Sequence, residues 1–133
     1  MRKLVIVAAV IGLFAGTVSA KPSLRDVARV EQGLFTIAVA DKIRRECGDI
    51  SGRMVRAHGL MRDLVNHARD LGYSDSEIRA YVDDKTEKTR VRARRDAYLS
   101  EQGVVKSRPE TYCVAGRAEI RNSSEIGELL RAR

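Results

Sequence analysis

The sequence predicts an all-α protein, a small antiparallel bundle of four to six helices stapled by one disulfide and preceded by a signal peptide. Three observations carry this reading. Apolar residues recur at spacings of three and four along most of the chain, as helices with one buried face require. Sustained two-residue alternation, the mark of half-buried strands, is missing. The chain holds two cysteines, Cys47 and Cys113, so only one intrachain pairing exists.

The first twenty residues set the expected compartment. Arg2 and Lys3 precede an apolar run from Leu4 to Phe14, and Val18, Ser19 and Ala20 place small residues before Lys21 and Pro22. That is the layout of an export signal, with cleavage expected after Ala20. The run is shorter than the roughly 20 residues of a permanent membrane anchor, although an uncleaved inner-membrane anchor is the alternative. Residues 21–133 then form a single domain with one core. Loss of Arg2 and Lys3 leaves 23 basic residues against 18 acidic ones, a net charge of +5. In the periplasm such a surface meets lipid headgroups, acidic polymers and acidic protein faces rather than nucleic acid.

An even cysteine count in an oxidising space makes a disulfide the expected state of Cys47 and Cys113. Metal binding would need more Cys or His nearby, and redox catalysis or haem attachment would need a Cys-x-x-Cys pair that the chain lacks. No cofactor is expected.

The first helix is predicted from Leu24 to about Glu46, with Val27, Val30, Leu34, Ile37, Ala38 and Ile43 on one face, Ser23 as cap and Gly33 as a weak point. Cys47, Gly48 and Asp49 end it. Ser51 is placed to cap the next helix, whose face carries Met54, His58, Met61, Leu64, Val65, Ala68 and Leu71 before Gly72 stops it. Ser74 and Glu77 have capping-box spacing, with Tyr73 and Ile78 set for a hydrophobic staple. Helical propensity continues from there to about Gln102, with a bend expected near Asp83 and Asp84 and a stop at Gly103. Pro109 suits the first turn of a following helix, with Ser107 a candidate cap, and Tyr112, Cys113, Gly116 and Ile120 share its face. Ser123 or Ser124 then caps a short last helix carrying Ile126, Leu129 and Leu130.

Few residues are free for chemistry. His58 and His67 lie nine apart, which is not the i, i+4 spacing of a shared metal. The serines fall at helix starts, where capping explains them, and none sits in a Gly-x-Ser-x-Gly elbow. The strongest charge feature is Lys85 to Arg95, in which Lys85, Lys88, Arg90, Arg92, Arg94 and Arg95 accompany a single acid, Glu87. On a helix these cations spread around much of the circumference, and Asp84 with Lys88 and Arg92 with Asp96 have i, i+4 spacing. The segment is read either as a solvated face or as a docking surface for an acidic envelope protein or an anionic membrane. Nucleic acid is disfavoured because no aromatic residues interleave the arginines.

The residues also resemble a known group. Cys47 with Ile50, Ser51, Arg53 and Met54, the run Leu71 to Ile78, and Ala80 to Val82 are followed by the Lys88, Arg90, Arg92, Arg94, Arg95 series. Tyr112 and Cys113, Gly116 to Ile120, and Ile126 to Arg131 complete a set that resembles a family of small exported alphaproteobacterial helical proteins of unknown function. The resemblance implies the fold and the compartment. Because such proteins are sometimes encoded among genes for the respiratory NADH dehydrogenase, the resemblance also implies an accessory or assembly role beside that enzyme, at the outer face of the inner membrane.

The expected function is therefore that of a non-enzymatic periplasmic interaction or accessory factor. One alternative is a stress chaperone-like protein that opens to expose apolar surface. The other is an envelope hydrolase using Glu77, Asp83 or Asp84 as acid/base groups.

Overall fold

The computed structural model describes residues 20–133, so the expected export signal, except Ala20, lies outside the described residues. Among the described residues there are five α-helices: α1 (Ala28–Glu46), α2 (Met54–Asp70), α3 (Asp75–Asp83), α4 (Lys85–Glu101) and α5 (Glu110–Arg121). Cys47 and Cys113 form the disulfide, with their Cα atoms 5.1 Å apart. None of the described helices is long and apolar enough to cross a membrane.

Helix α1 is the central element. It is buried on a broad front at Val30, Gly33, Phe35, Thr36, Val39, Ala40 and Ile43 because α2, α4 and α5 all pack against it. Gly33, a weak point by propensity, is a requirement of packing: a Cβ there would lie 2.5 Å from Leu64 Cδ1 on α2. Around the second half of α1 the main core gathers Leu99, Val104, Tyr112, Ala115, Ile126, Leu129 and Leu130. A second cluster joins Leu24, Val27 and Val30 to Ala68, Tyr73 and Ile78.

The local signals act as their chemistry dictates. Ser74 Oγ accepts from the Glu77 amide at 3.2 Å while Glu77 accepts from the Ser74 amide at 2.6 Å, completing the capping box that starts α3. Tyr73 and Ile78 are buried in the same cluster across it. Gly72 and Gly103 both take left-handed φ angles, +90° and +83°, where the chain leaves α2 and α4.

Four features depart from the sequence reading. Residues Leu24–Asp26 form a 3-10 turn and Val27 is extended, so α1 begins only at Ala28; the Val27 amide donates to Leu24 O at 3.2 Å and closes the turn, while Leu24 and Val27 pack into the second cluster against Ala68, Tyr73 and Ile78. The expected bend is a complete break, because Asp84 is extended and its carboxylate caps α4 through the Glu87 amide at 2.8 Å. Neither Ser51 nor Ser107 is a helix cap; Arg53 and Pro109 occupy those positions without side-chain capping bonds. The last element is a 3-10 turn (Gly127–Leu129) followed by a strand, not a helix.

That strand, β2 (Leu130–Ala132), pairs antiparallel with β1 (Ile50–Gly52), with Ile50 opposite Ala132 and Gly52 opposite Leu130. Arg53 reinforces the junction, its amide donating to Leu129 O at 2.7 Å and its Nε to Leu130 O at 3.0 Å. Ser124 Oγ accepts from the Gly127 amide at 2.9 Å, three residues ahead of the final turn, whose N-cap position is held by Ile126.

Candidate functional site

The basic segment becomes α4, and its cations divide by what α1 and α3 bring to them. Arg90 is half-buried between carboxylates, with Nη2 2.6 Å from Glu31 and Nε 2.9 Å from Glu87. Arg25 also pairs with Glu87, and the Tyr81 hydroxyl donates to Glu31. This network ties the first 3-10 turn, α1, α3 and α4 together. Arg94 stacks on Phe35, 4.2 Å from the ring centroid, and donates to Gln32 Oε1 at 3.0 Å.

Of the other cations, Lys85, Lys88 and Arg92 are exposed, whereas the Arg95 side chain is 18% exposed, less than that of Arg90 at 32%. Lys88 reaches Asp83 at 3.8 Å rather than Asp84, whose carboxylate is engaged as the α4 cap. Asp96 pairs with Arg95 and Lys106 instead of Arg92. Among the described residues, Lys85 and Arg92 make no ion pair, and both are exposed.

Lys88, Arg92 and Arg95 stand beside a cleft of about 210 Å³ between α1, α3 and α4. Its apolar lining comes from Leu34 and Ala38 on α1, Tyr81 and Val82 on α3, and Val91 on α4. Val82 is 40% exposed at the lip. The sequence reading named the cations and missed the apolar part, although Val91 is the one large apolar residue among them.

The electrostatics are those of a locked wall. Desolvation pushes the Glu31 carboxyl up, but hydrogen bonds from Arg90 and Tyr81 together outweigh it and hold the group below its ordinary range. Glu87 is also held low, chiefly by its Arg25 hydrogen bond, with desolvation opposing and Arg90 adding to the effect. Burial, then the bond to Glu31, raises the Tyr81 hydroxyl. Carboxyls depressed in the folded state add stability that is complete above their unfolded pKa and is lost as pH falls through the folded values. We predict that the urea midpoint falls with acidification below about pH 5, and that Arg90→Gln flattens this dependence. Equal slopes for the two proteins would remove the network from the account.

The remaining candidates serve local structure. Glu77 accepts from Ser74 and from Lys21 Nζ at 3.1 Å, Asp83 faces Lys88, and Asp84 caps α4. His58 is exposed on α2 beside a second cleft, at the rim of the apolar face rather than within it, and His67 is partly buried a little over two turns further along. One buried acid gave no sequence signal: Glu119 on α5 accepts from the Tyr98 hydroxyl and from Ser124 Oγ. Burial, together with this bond, pushes Tyr98 up to about 12.

No curated protein and no solved structure matches the chain. The sequence pattern of one family does, over residues 22–131, which takes in all five helices, the disulfide and the cleft. The chain therefore belongs to DUF5333, a family of unknown function.

Proposed function

We propose that this protein is a non-enzymatic, exported interaction factor of the alphaproteobacterial periplasm, and that the α1/α3/α4 cleft with its cationic rim is where it docks an acidic helix of an envelope protein. The observation that carries the reading is the juxtaposition itself: Leu34, Val82 and Val91 line a concave apolar surface, and Lys88, Arg92 and Arg95 stand beside it. Concavity favours a protein partner over a membrane surface. A bilayer receives a protruding amphipathic face, whereas a groove receives the apolar side chains of a helix laid across it. At about 210 Å³ the cleft is below the roughly 300–1,000 Å³ of small-molecule sites, and it suits a few anchoring side chains. The cations then select acidic residues flanking those anchors and speed the encounter at low salt. An accessory role beside an inner-membrane respiratory complex is consistent with such a dock.

The test places a photo-crosslinking residue at Val82 in intact envelopes. A discrete protein adduct is expected, and it should disappear in the Lys88→Glu/Arg92→Glu protein, which keeps Arg90 and hence the network. An adduct unchanged by charge reversal would contradict the reading, as would an adduct with lipid only, accompanied by binding to phosphatidylglycerol vesicles.

A further inference from the structure

A second cleft lies between α1 and α2, lined by Ile37, Ala40, Met54, Ala57, His58, Met61 and others, and it shares Asp41 with the first. The chain has three methionines, and the two beyond Met1 are Met54 and Met61, which bracket His58 on α2. At i, i+4 and i+7 the three side chains share one face, His58 one turn after Met54 and Met61 one turn after His58. His58 thus has its Cβ about 5–6 Å from that of each methionine, while Met54 and Met61 stand about 10 Å apart along the helix and would reach a common atom beside His58 through their long, flexible thioether side chains. Packing accounts poorly for Met54, which begins α2 and is 47% exposed. Nor is His58 engaged elsewhere: among the described residues its ring has no hydrogen-bond or ion-pair partner within the chain.

We propose that Met54, His58 and Met61 form a binding site for a soft monovalent d10 metal ion, Cu(I) above all. Thioether sulfur and imidazole nitrogen together select copper(I) over hard divalent cations, which seek oxygen. Both cysteines are consumed in the disulfide, so these thioethers are the only soft donors left among the described residues. The donor set is neutral, which suits a singly charged ion and offers little to a doubly charged one. The two charged residues of the cleft wall are already paired, Asp41 with Arg44, and Asp41 also with Arg45 outside it. Gly52 lets Met54 Sδ and the Arg44 side chain pack close to the backbone, since a Cβ there would lie 3.2 Å from the sulfur and 2.9 Å from Arg44 Cδ. The three ligands lie on α2, outside the α1/α3/α4 cleft, and the site does not depend on the docking proposal.

Silver(I) nitrate in chloride-free buffer is the redox-inert probe. In NMR spectra of the wild-type protein with labelled methionine methyls, the Met54 and Met61 methyls and the His58 ring are expected to shift together, saturating in one step. Zn(II) is expected to leave the methyls in place. Competition against a copper(I) chelator should then give an affinity at least the roughly 10–100-fold weaker that loss of even an outer-shell partner costs, for each of Met54→Leu, Met61→Leu and His58→Gln. His67→Gln should bind as wild type. Leucine conserves volume, and the methyl shifts need no variant, so misfolding cannot mimic the result. Unmoved methyls, or full affinity in the Met54→Leu/Met61→Leu protein, would overturn the assignment.

Discussion

The Cys47→Ala/Cys113→Ala protein is expected to be less stable than the oxidised wild type by about 4 kcal/mol, read from urea denaturation at neutral pH. The cysteines are 66 residues apart, and cross-linking a loop of that length removes much conformational freedom from the unfolded chain. Because a domain of this size has only about 5–15 kcal/mol in total, the bond is a large fraction of what holds it folded. Its position explains why the native state tolerates it. Cys47 is buried where α1 ends and Cys113 lies in the first turn of α5, a contact that Tyr112, Ala115 and Gly116 already pack. Little native rearrangement is needed, so most of the entropic gain should survive. A loss below about 1 kcal/mol would mean that residual structure already confines the unfolded chain, and the entropic account would fail.

The second large effect is expected at Gly127. A Cβ on this buried residue would lie 2.1 Å from the Glu119 carbonyl oxygen, 2.5 Å from its carbon and 2.9 Å from the Ile120 nitrogen. These are backbone atoms of α5 and cannot swing aside as a side chain can. Gly127→Ala must therefore lift the 3-10 turn off α5, and Ile126, Leu129 and Leu130 would move with it, together with the β1–β2 pairing. Overpacking typically costs about 1–3 kcal/mol, and this substitution should reach or exceed the top of that range. Gly59→Ala is the control. No heavy atom outside α2's own backbone lies within 4 Å of a Cβ there, and alanine in a helix interior should add about 0.5–1 kcal/mol. If Gly127→Ala unfolds at the wild-type midpoint, the close crossing of the last turn over α5 is not a feature of the folded protein.

Of the candidate sites, the sequence disclosed one component each. The cations of α4 were evident as a charge cluster, but their division was not: Arg90 meets Glu31 across 59 residues, while Arg92, two positions later, meets no carboxylate among the described residues. The helical phase of each cation is fixed by sequence number. Whether an acid lies opposite is fixed by how α1 and α3 pack. Met54, His58 and Met61 were visible as a stripe, but their exposure depends on where α2 rotates against Gly33. Glu119 stands among apolar neighbours and gives no local sign that Tyr98 and Ser124 will satisfy it.

By itself the sequence determined whatever is decided within about one helical turn. Ser74 and Glu77 cap α3, Gly72 and Gly103 end helices, and the periodicity makes the chain helical, because each depends on backbone amides and side chains only a few residues away. The cysteine count fixed the only pairing available. Tertiary structure alone decided the rest. Three-residue strands are too short to carry an alternation pattern, so β1 and β2, 80 residues apart, exist only because the C-terminus is drawn across the start of α2. The break at Val27, the necessity of Gly33 and the apolar lining beneath the cations arise likewise where distant segments meet. Such contacts depend on long-range packing, which one-dimensional spacing does not specify.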